Sequence, residues 1–233
     1  MDLSEHIAAL LAAPAPEDIE RQSFAVIDAE TPGPRPYRGP EWAIARRLVH
    51  ATADFDLLNH LRFTPDAVGA GLAALRAGGS IFTDTAMAEA GIPLRRLEGL
   101  GCTVTCLLRL PGVPEAAKAR GSTRSLAAVQ IAGERLHKAI VAIGNAPTAL
   151  LGLLALMEER ADIRPALVVG MPVGFVNAAE SKELLQKYDI PSITIQGRKG
   201  GSPLAAATIN ALAELALQND VFDNPPPLNK DHL

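Results

Sequence analysis

Cysteine is nearly missing: two residues, Cys102 and Cys106, occur in a chain of 233. Four apart on a strand, they would face the same side without being close enough to bridge, so both read as reduced core residues. Aromatic residues make up 4% of the chain, which argues against a base-stacking surface. The formal net charge of −4 supplies no basic footprint for nucleic acid or an acidic membrane surface. No apolar run approaches the length of a membrane span. The opening segment MDLSEHIAALLAAPAPEDIE has a short apolar part flanked by acids and no basic region, so it is not a signal peptide. A soluble, cytoplasmic protein is expected, with neither nucleic acid nor membrane among its partners.

Several chemical signatures are missing too. No GxGxxG follows a strand and no GxxxxGK[ST] occurs; GRKGGS has the residues of a phosphate loop without its spacing. The absence of a Gly-x-Ser-x-Gly elbow weakens a hydrolase reading. His6, His50, His60, His137 and His232 are scattered without metal-ligand spacing, so no metal is expected.

What the chain does have is one pattern repeated three times in its second half. An apolar run ends in glycine, a short loop follows, and a helix begins. The runs are AIVAIG (139–144), ALVVG (166–170) and SITIQG (192–197), each apolar on both faces like a central parallel strand. The loops are Asn145 to Pro147, Met171 to Phe175 and Arg198 to Ser202. Helical patterns follow, so these are β-α units with right-handed crossovers. All three loops then lie at the carboxyl ends of the strands, where open α/β folds bind ligands and free N–H groups favour anions. With SIFTDT and CTVTCLLRL, the strands make a three-layer doubly wound α/β fold with a mostly parallel sheet of about five strands. Residues 1–220 form a single domain and 221–233 a flexible tail.

Earlier in the chain, residues 3–13 suggest a short helix, and a second runs from Pro16 to about Glu30. Ile19, Val26 and Ile27 make its apolar stripe, with Phe24 at the edge and Ser23 inside it. By position Ser23 reads as a hydroxyl bonded back to its own helix. A proline-rich connector, Thr31 to Pro40, leads to a helix opening near Glu41 and carrying WAIARRLVHATADFDLLNHL. On it Arg46, Arg47 and His50 share a face, and His50 reads by position as an exposed helical histidine. Thr64 caps the next helix, with Pro65 in its first turn. SIFTDT delivers Thr83, Asp84 and Thr85 to a loop end. Thr123 caps a helix running to about Leu136, and Arg124 sits in its first turn against the helix dipole, which is mildly suggestive of function.

Three phrases are specific: HKAIVAIGNAPTAL (137–150), GMPVGFVNAAESK (170–182) and GRKGGS (197–202). With Ser23-Phe24, Val49-His50, the Asp84 loop and Ser122 to Ser125, the chain resembles the precorrin-8X methylmutases over about residues 17 to 215. The resemblance implies an isomerase of cobalamin synthesis. It moves a methyl group from C11 to C12 of the corrin precursor, metal-free or cobalt-bearing, by a 1,5-sigmatropic shift without an external cofactor. It also implies a homodimer with active sites near the subunit interface, and product hand-over to neighbouring enzymes of the pathway. The family's histidine after valine maps onto His50. Substrate contacts are expected from Ser23, Asp84 and Thr85, and from Arg124 and Ser125. On the rim they are expected from Asn145, from Gly170, Met171, Pro172, Val173 and Gly174, and from Arg198, Gly200, Gly201 and Ser202.

The residue types suit that substrate. A tetrapyrrole-derived ring is broad, apolar and edged with carboxylates, so it needs a wide site with N–H donors and a few arginines. Protonating a ring nitrogen polarises the conjugated system and eases migration, and a histidine is an acid suited to neutral pH. A non-catalytic tetrapyrrole carrier on the same fold is the competing expectation, since such a site could bind without reacting.

Overall fold

The computed structural model of this chain describes residues 2–11 and 15–218; the expected tail, 221–233, lies outside the described residues. Helices α1 (Leu3–Leu11), α2 (Pro16–Glu30), α3 (Gly39–Thr52) and α4 (Leu57–His60) lead into strand β1 (Leu61–Phe63). Then come α5 (Ala67–Arg76), β2 (Ser80–Thr83), α6 (Ala86–Ala90), α7 (Leu94–Glu98) and β3 (Thr103–Cys106). Helices α8 (Val113–Ala119) and α9 (Arg124–Ala132) precede β4 (Ile140–Ile143) and α10 (Pro147–Glu159). The chain continues with β5 (Leu167–Gly170), α11 (Ala178–Leu185), β6 (Ser192–Ile195) and α12 (Ser202–Leu217).

The described residues form one sheet in the order β1-β6-β5-β4-β2-β3, parallel except for β1, which runs antiparallel to β6. From β2 the chain goes outward to β3, then returns to the other side of β2 to lay down β4, β5 and β6 in turn. The switch point therefore falls between β2 and β4. Every residue of β4, β5 and β6 is buried, because helices cover both faces. Alternation splits them cleanly: Ile140, Ala142, Leu167, Val169, Ile193 and Ile195 face the core under α3, α5 and α12. Val141, Ile143 and Val168 face the core under α9, α10 and α11.

Helix α12 is buried almost all round, and its start presses on the end of β4. A Cβ on Gly144 would lie 2.6 Å from the Ser202 Cα, so only glycine lets the two meet.

Four expectations need correction. A sixth strand exists: the helix opening at α3 stops at Thr52, Ala53 turns left-handed at φ 52°, and Leu61–Phe63 leaves for the sheet edge. A three-residue strand is too short for a period-2 signal, and it begins where the expected continuous helix ended, at Leu61. Thr64 extends that strand instead of capping a helix; its N–H donates to the Ser192 carbonyl at 3.0 Å and its hydroxyl accepts from the Ser192 N–H at 2.7 Å. Helix α9 stops at Ala132, and residues to Leu136 tighten into a 3-10 turn. The stripe on α2 is not core: Ile27 is buried, but Ile19 and Val26 are 51% and 52% exposed. The two thiols are free, with Cys106 buried and Cys102 half-buried.

Candidate active site

The rim is built first by an acid. Asp84 leaves the end of β2 and is 1% exposed. Its carboxylate accepts from the N–H groups of Gly144 at 3.0 Å, Asn145 at 2.8 Å and Ala146 at 2.7 Å. These are the donors expected to receive a ligand anion at the start of α10. Burial pushes the Asp84 carboxyl above its usual range, and the three amide bonds pull the other way. Asp84, expected as a substrate contact, fastens the switch point through these three amides. Asn145 keeps an exposed side chain but has given up its amide.

The other two rim loops are stitched to each other. Gly201 N–H donates to the Met171 carbonyl at 2.9 Å, and Gly174 N–H to the Arg198 carbonyl at 3.2 Å. A Cβ on Gly200 would lie 2.2 Å from the Met171 oxygen, so this glycine is required by close approach of the loops. Gly170, Met171 and Pro172 are buried, and the Met171 sulfur packs by the Thr208 hydroxyl at 3.7 Å. Val173 and Gly174 stay accessible, beside Phe175 and Val176 at 82% and 77% exposure. Gly201 and Ser202 are buried. The Ser202 hydroxyl shares a 2.8 Å hydrogen bond with that of Thr85, which also caps α6 by accepting from Ala88 N–H at 3.1 Å. Arg198 is exposed with its guanidinium over the Phe175 ring at 5.3 Å. Arg124, also exposed, follows Thr123, whose hydroxyl caps α9 by accepting from Leu126 N–H at 3.2 Å; Ser125 is half-buried. Neither arginine forms an ion pair among the described residues.

His50 and Ser23 belong to a separate cleft of about 610 Å³ between α2 and α3. Ile19, Val26, Ile27, Val49, Ala53 and Phe55 give it apolar walls, with Gln22 and Glu30 at the edge. The exposed α2 stripe is thus the wall of a cavity. Ser23 donates to the Ile19 carbonyl at 2.8 Å, so it is a back-bonded hydroxyl and also a cleft residue. Sequence reasoning did not single out Ala53 or Phe55, because the residues after α3 read as continuous helix, nor Gln22 on α2, a polar residue at the edge of an apolar stripe.

Phe24 holds His50 in place: the rings meet edge to face with centroids 5.2 Å apart. Arg46 and Arg47 cover the same ring at 4.4 and 5.1 Å. Arg46 is paired with Asp28 at 2.7 Å, and Arg47 with Glu20 at 2.9 Å and Glu214 at 2.6 Å. The Arg47 guanidinium holds the Glu20 carboxyl below the usual carboxylate range. His50 also borders a smaller groove of about 270 Å³ that runs past Gly91 to Pro203 and Ala206 on α12. His50 is thus common to the apolar cleft and to a groove that reaches the residue after Ser202.

Lys182 stands inside a specific phrase but was not among the expected site residues. It is 0% exposed, its ammonium donates to the Lys199 carbonyl at 2.6 Å, and burial pushes its pKa down to about 8. No group of three His, Cys, Asp or Glu among the described residues could hold a metal ion. No helix of the described residues is long and apolar enough to cross a membrane.

The class that the fold and these surfaces define is a three-layer α/β scaffold with an open apolar cleft beside His50 and a glycine-lined rim. The family model described as precorrin-8X methylmutase matches residues 18–215. The cobalt-precorrin-8 methylmutase of Leptospira interrogans is 42% identical over 207 residues, covering 85% of this chain and 93% of that one. The precorrin-8X methylmutase of Pseudomonas aeruginosa is 44% identical over 197 residues, covering 84% and 93%. A solved precorrin-8X methylmutase structure from Thermus thermophilus superposes with TM-score 0.79 at 44% identity, covering 86% of this chain and 98% of that one. The chain belongs to the precorrin-8X methylmutase family.

Replacing Asp84 tests the fastening of the rim. Asp84→Ala leaves three buried donors without their acceptor, and the expected loss of stability is about 3 kcal/mol or more. A denaturant midpoint equal to that of the parent protein would contradict this reading of the rim.

Proposed function

We propose that His50 is the general acid of the rearrangement and that the cleft and the rim hold one ring between them. The chain is an isomerase of cobalamin biosynthesis, moving a methyl group from C11 to C12 of precorrin-8X or cobalt-precorrin-8. The carrier alternative gains no support, since the relatives above carry the names of methylmutases. One observation carries the proposal: His50 is the ionisable ring shared by the apolar cleft and the groove toward α12.

In this reading the imidazolium donates its proton to a ring nitrogen, which draws electron density along the conjugated system. The migrating methyl leaves C11 with its bonding pair and forms its new bond at C12 as the π system shifts. The ring nitrogen then returns the proton to His50, so substrate and product are isomers and nothing is consumed. Arg46 and Arg47 are matched by carboxylates, so neither presents a bare cation to His50. Ile19, Val26, Val49 and Phe55 supply the apolar floor. Arg198 and the Val173 amide, with Arg124 and Ser125, receive the peripheral carboxylates. Ser23 and Thr85 orient the reacting ring. Ser23 keeps lone pairs free to accept, since its proton is given to Ile19.

A homodimer belongs to the same reading. The exposed Phe175 and Val176 beside the rim are apolar surface that a second copy would cover. A cytoplasmic location and hand-over of product to neighbouring pathway enzymes complete it. Sedimentation is expected to return twice the chain mass of 24.5 kDa; a fully active monomer rules out the dimer.

His50→Ala is expected to lose roughly 10²–10⁴-fold in turnover while still binding product. If the ring were only a helix-face histidine, the variant would lose about 1 kcal/mol of stability and keep its rate per folded molecule. Turnover followed by absorbance and a thermal midpoint on one preparation separate the two outcomes.

A further inference from the structure

We propose that Lys182 is a positioning residue: its buried ammonium holds the Lys199 peptide and so sets the direction in which Arg198 projects toward the substrate's carboxylates. This rests on the reading above that the rim receives those carboxylates.

Lysine is almost never fully buried unless it is paired. Lys182 is fully buried on α11, yet the described residues offer it no carboxylate, only the Lys199 carbonyl at 2.6 Å. Burial of a charge against one neutral acceptor works against folding. A residue that costs the fold stability and sits under a ligand rim is a candidate for function.

What it holds is the middle of a three-point attachment. The Arg198 carbonyl accepts from Gly174 N–H at 3.2 Å, the Lys199 carbonyl from Lys182, and Gly201 N–H donates to Met171 at 2.9 Å. Turning the Lys199 carbonyl inward fixes the peptide plane that follows it. With the Gly174 bond to the Arg198 carbonyl, it fixes the peptide planes on both sides of Lys199, which leaves little freedom at the roots of Lys199 and of Arg198 before it. Arg198 emerges exposed over Phe175. Lys199 reaches the other way, with its ammonium 2.7 Å from Asp54 and 2.8 Å from Asp56. Those acids flank Phe55, a wall of the His50 cleft. An exposed ion pair of this kind contributes little by itself, so the buried bond to α11 is the stronger hold on the Lys199 peptide.

The test uses the full-length protein with Lys182→Met, which keeps the apolar stem and removes the donor. It is measured beside Arg198→Ala and the double variant. Lys182→Met is expected to raise KM and weaken product binding roughly tenfold, the scale of one charge-assisted hydrogen bond. Its kcat should change less than about twofold, as for an interaction made equally in ground and transition states. The double variant should bind product no worse than Arg198→Ala alone, because both changes remove the same contact. Lys182→Gln, which retains an N–H donor on a neutral stem, guards against a variant that does not fold and should weaken product binding less than Met. Normal KM and product affinity in Lys182→Met, with Arg198→Ala weakened, would overturn the role of Lys182 while leaving the rim reading intact. Normal product affinity in Arg198→Ala would overturn both.

Discussion

Everything at the functional edge depends on how one buried carboxylate is satisfied. In an open α/β sheet the crevice at the switch point is where backbone N–H groups wait for a ligand. Here the crevice between β2 and β4 is filled from within, by Asp84, which takes the amides of Gly144, Asn145 and Ala146. The protein supplies its own anion, so the usual phosphate position is closed. That fits the absence of any phosphate-loop spacing in the sequence. It leaves the β5 and β6 loops and the α2–α3 cleft as accessible surfaces beside the switch point. Gly144 then lets α12 start directly against β4, and α12 carries Ser202 and Pro203 to the border of the His50 groove.

Two kinds of surface meet along this displaced site. One is apolar and wide, walled by α2 and by the turn after α3. The other is rich in backbone and guanidinium groups. A corrin precursor has the same division, an apolar ring with carboxylates around it, and the family to which the chain belongs acts on such rings. The catalytic demand is small, because the methyl migrates within one molecule. On the proposed reading, most of the structure's work is to orient a ring and to keep one proton donor beside it. Phe24 serves that end by packing on His50 while both neighbouring arginines lie over its ring.

The parallel sheet was legible because β4, β5 and β6 are buried on both faces, and such burial demands a short continuous run of Val and Ile. The long helices were legible from their period and their prolines. Strand β1 was not, since three residues carry no period and its place is set by pairing with β6, far away in sequence. The α2 stripe was seen but given the wrong surroundings: amphipathicity says that a face is apolar, not whether core or cavity covers it. Asp84 was picked out as a rim residue, but an acid at a strand end reads the same whether it points to a ligand or back to three amides. Lys182 gave no signal as a lysine on a helix, because burial of a single charged side chain depends on neighbours that local pattern does not specify.

The most direct test is a structure with the product bound. The account predicts the ring lying across the cleft, with His50 within hydrogen-bond reach of a ring nitrogen and Arg198 paired with a peripheral carboxylate. A ring seated elsewhere, with His50 facing solvent and the β5 and β6 loops free of ligand, would contradict it.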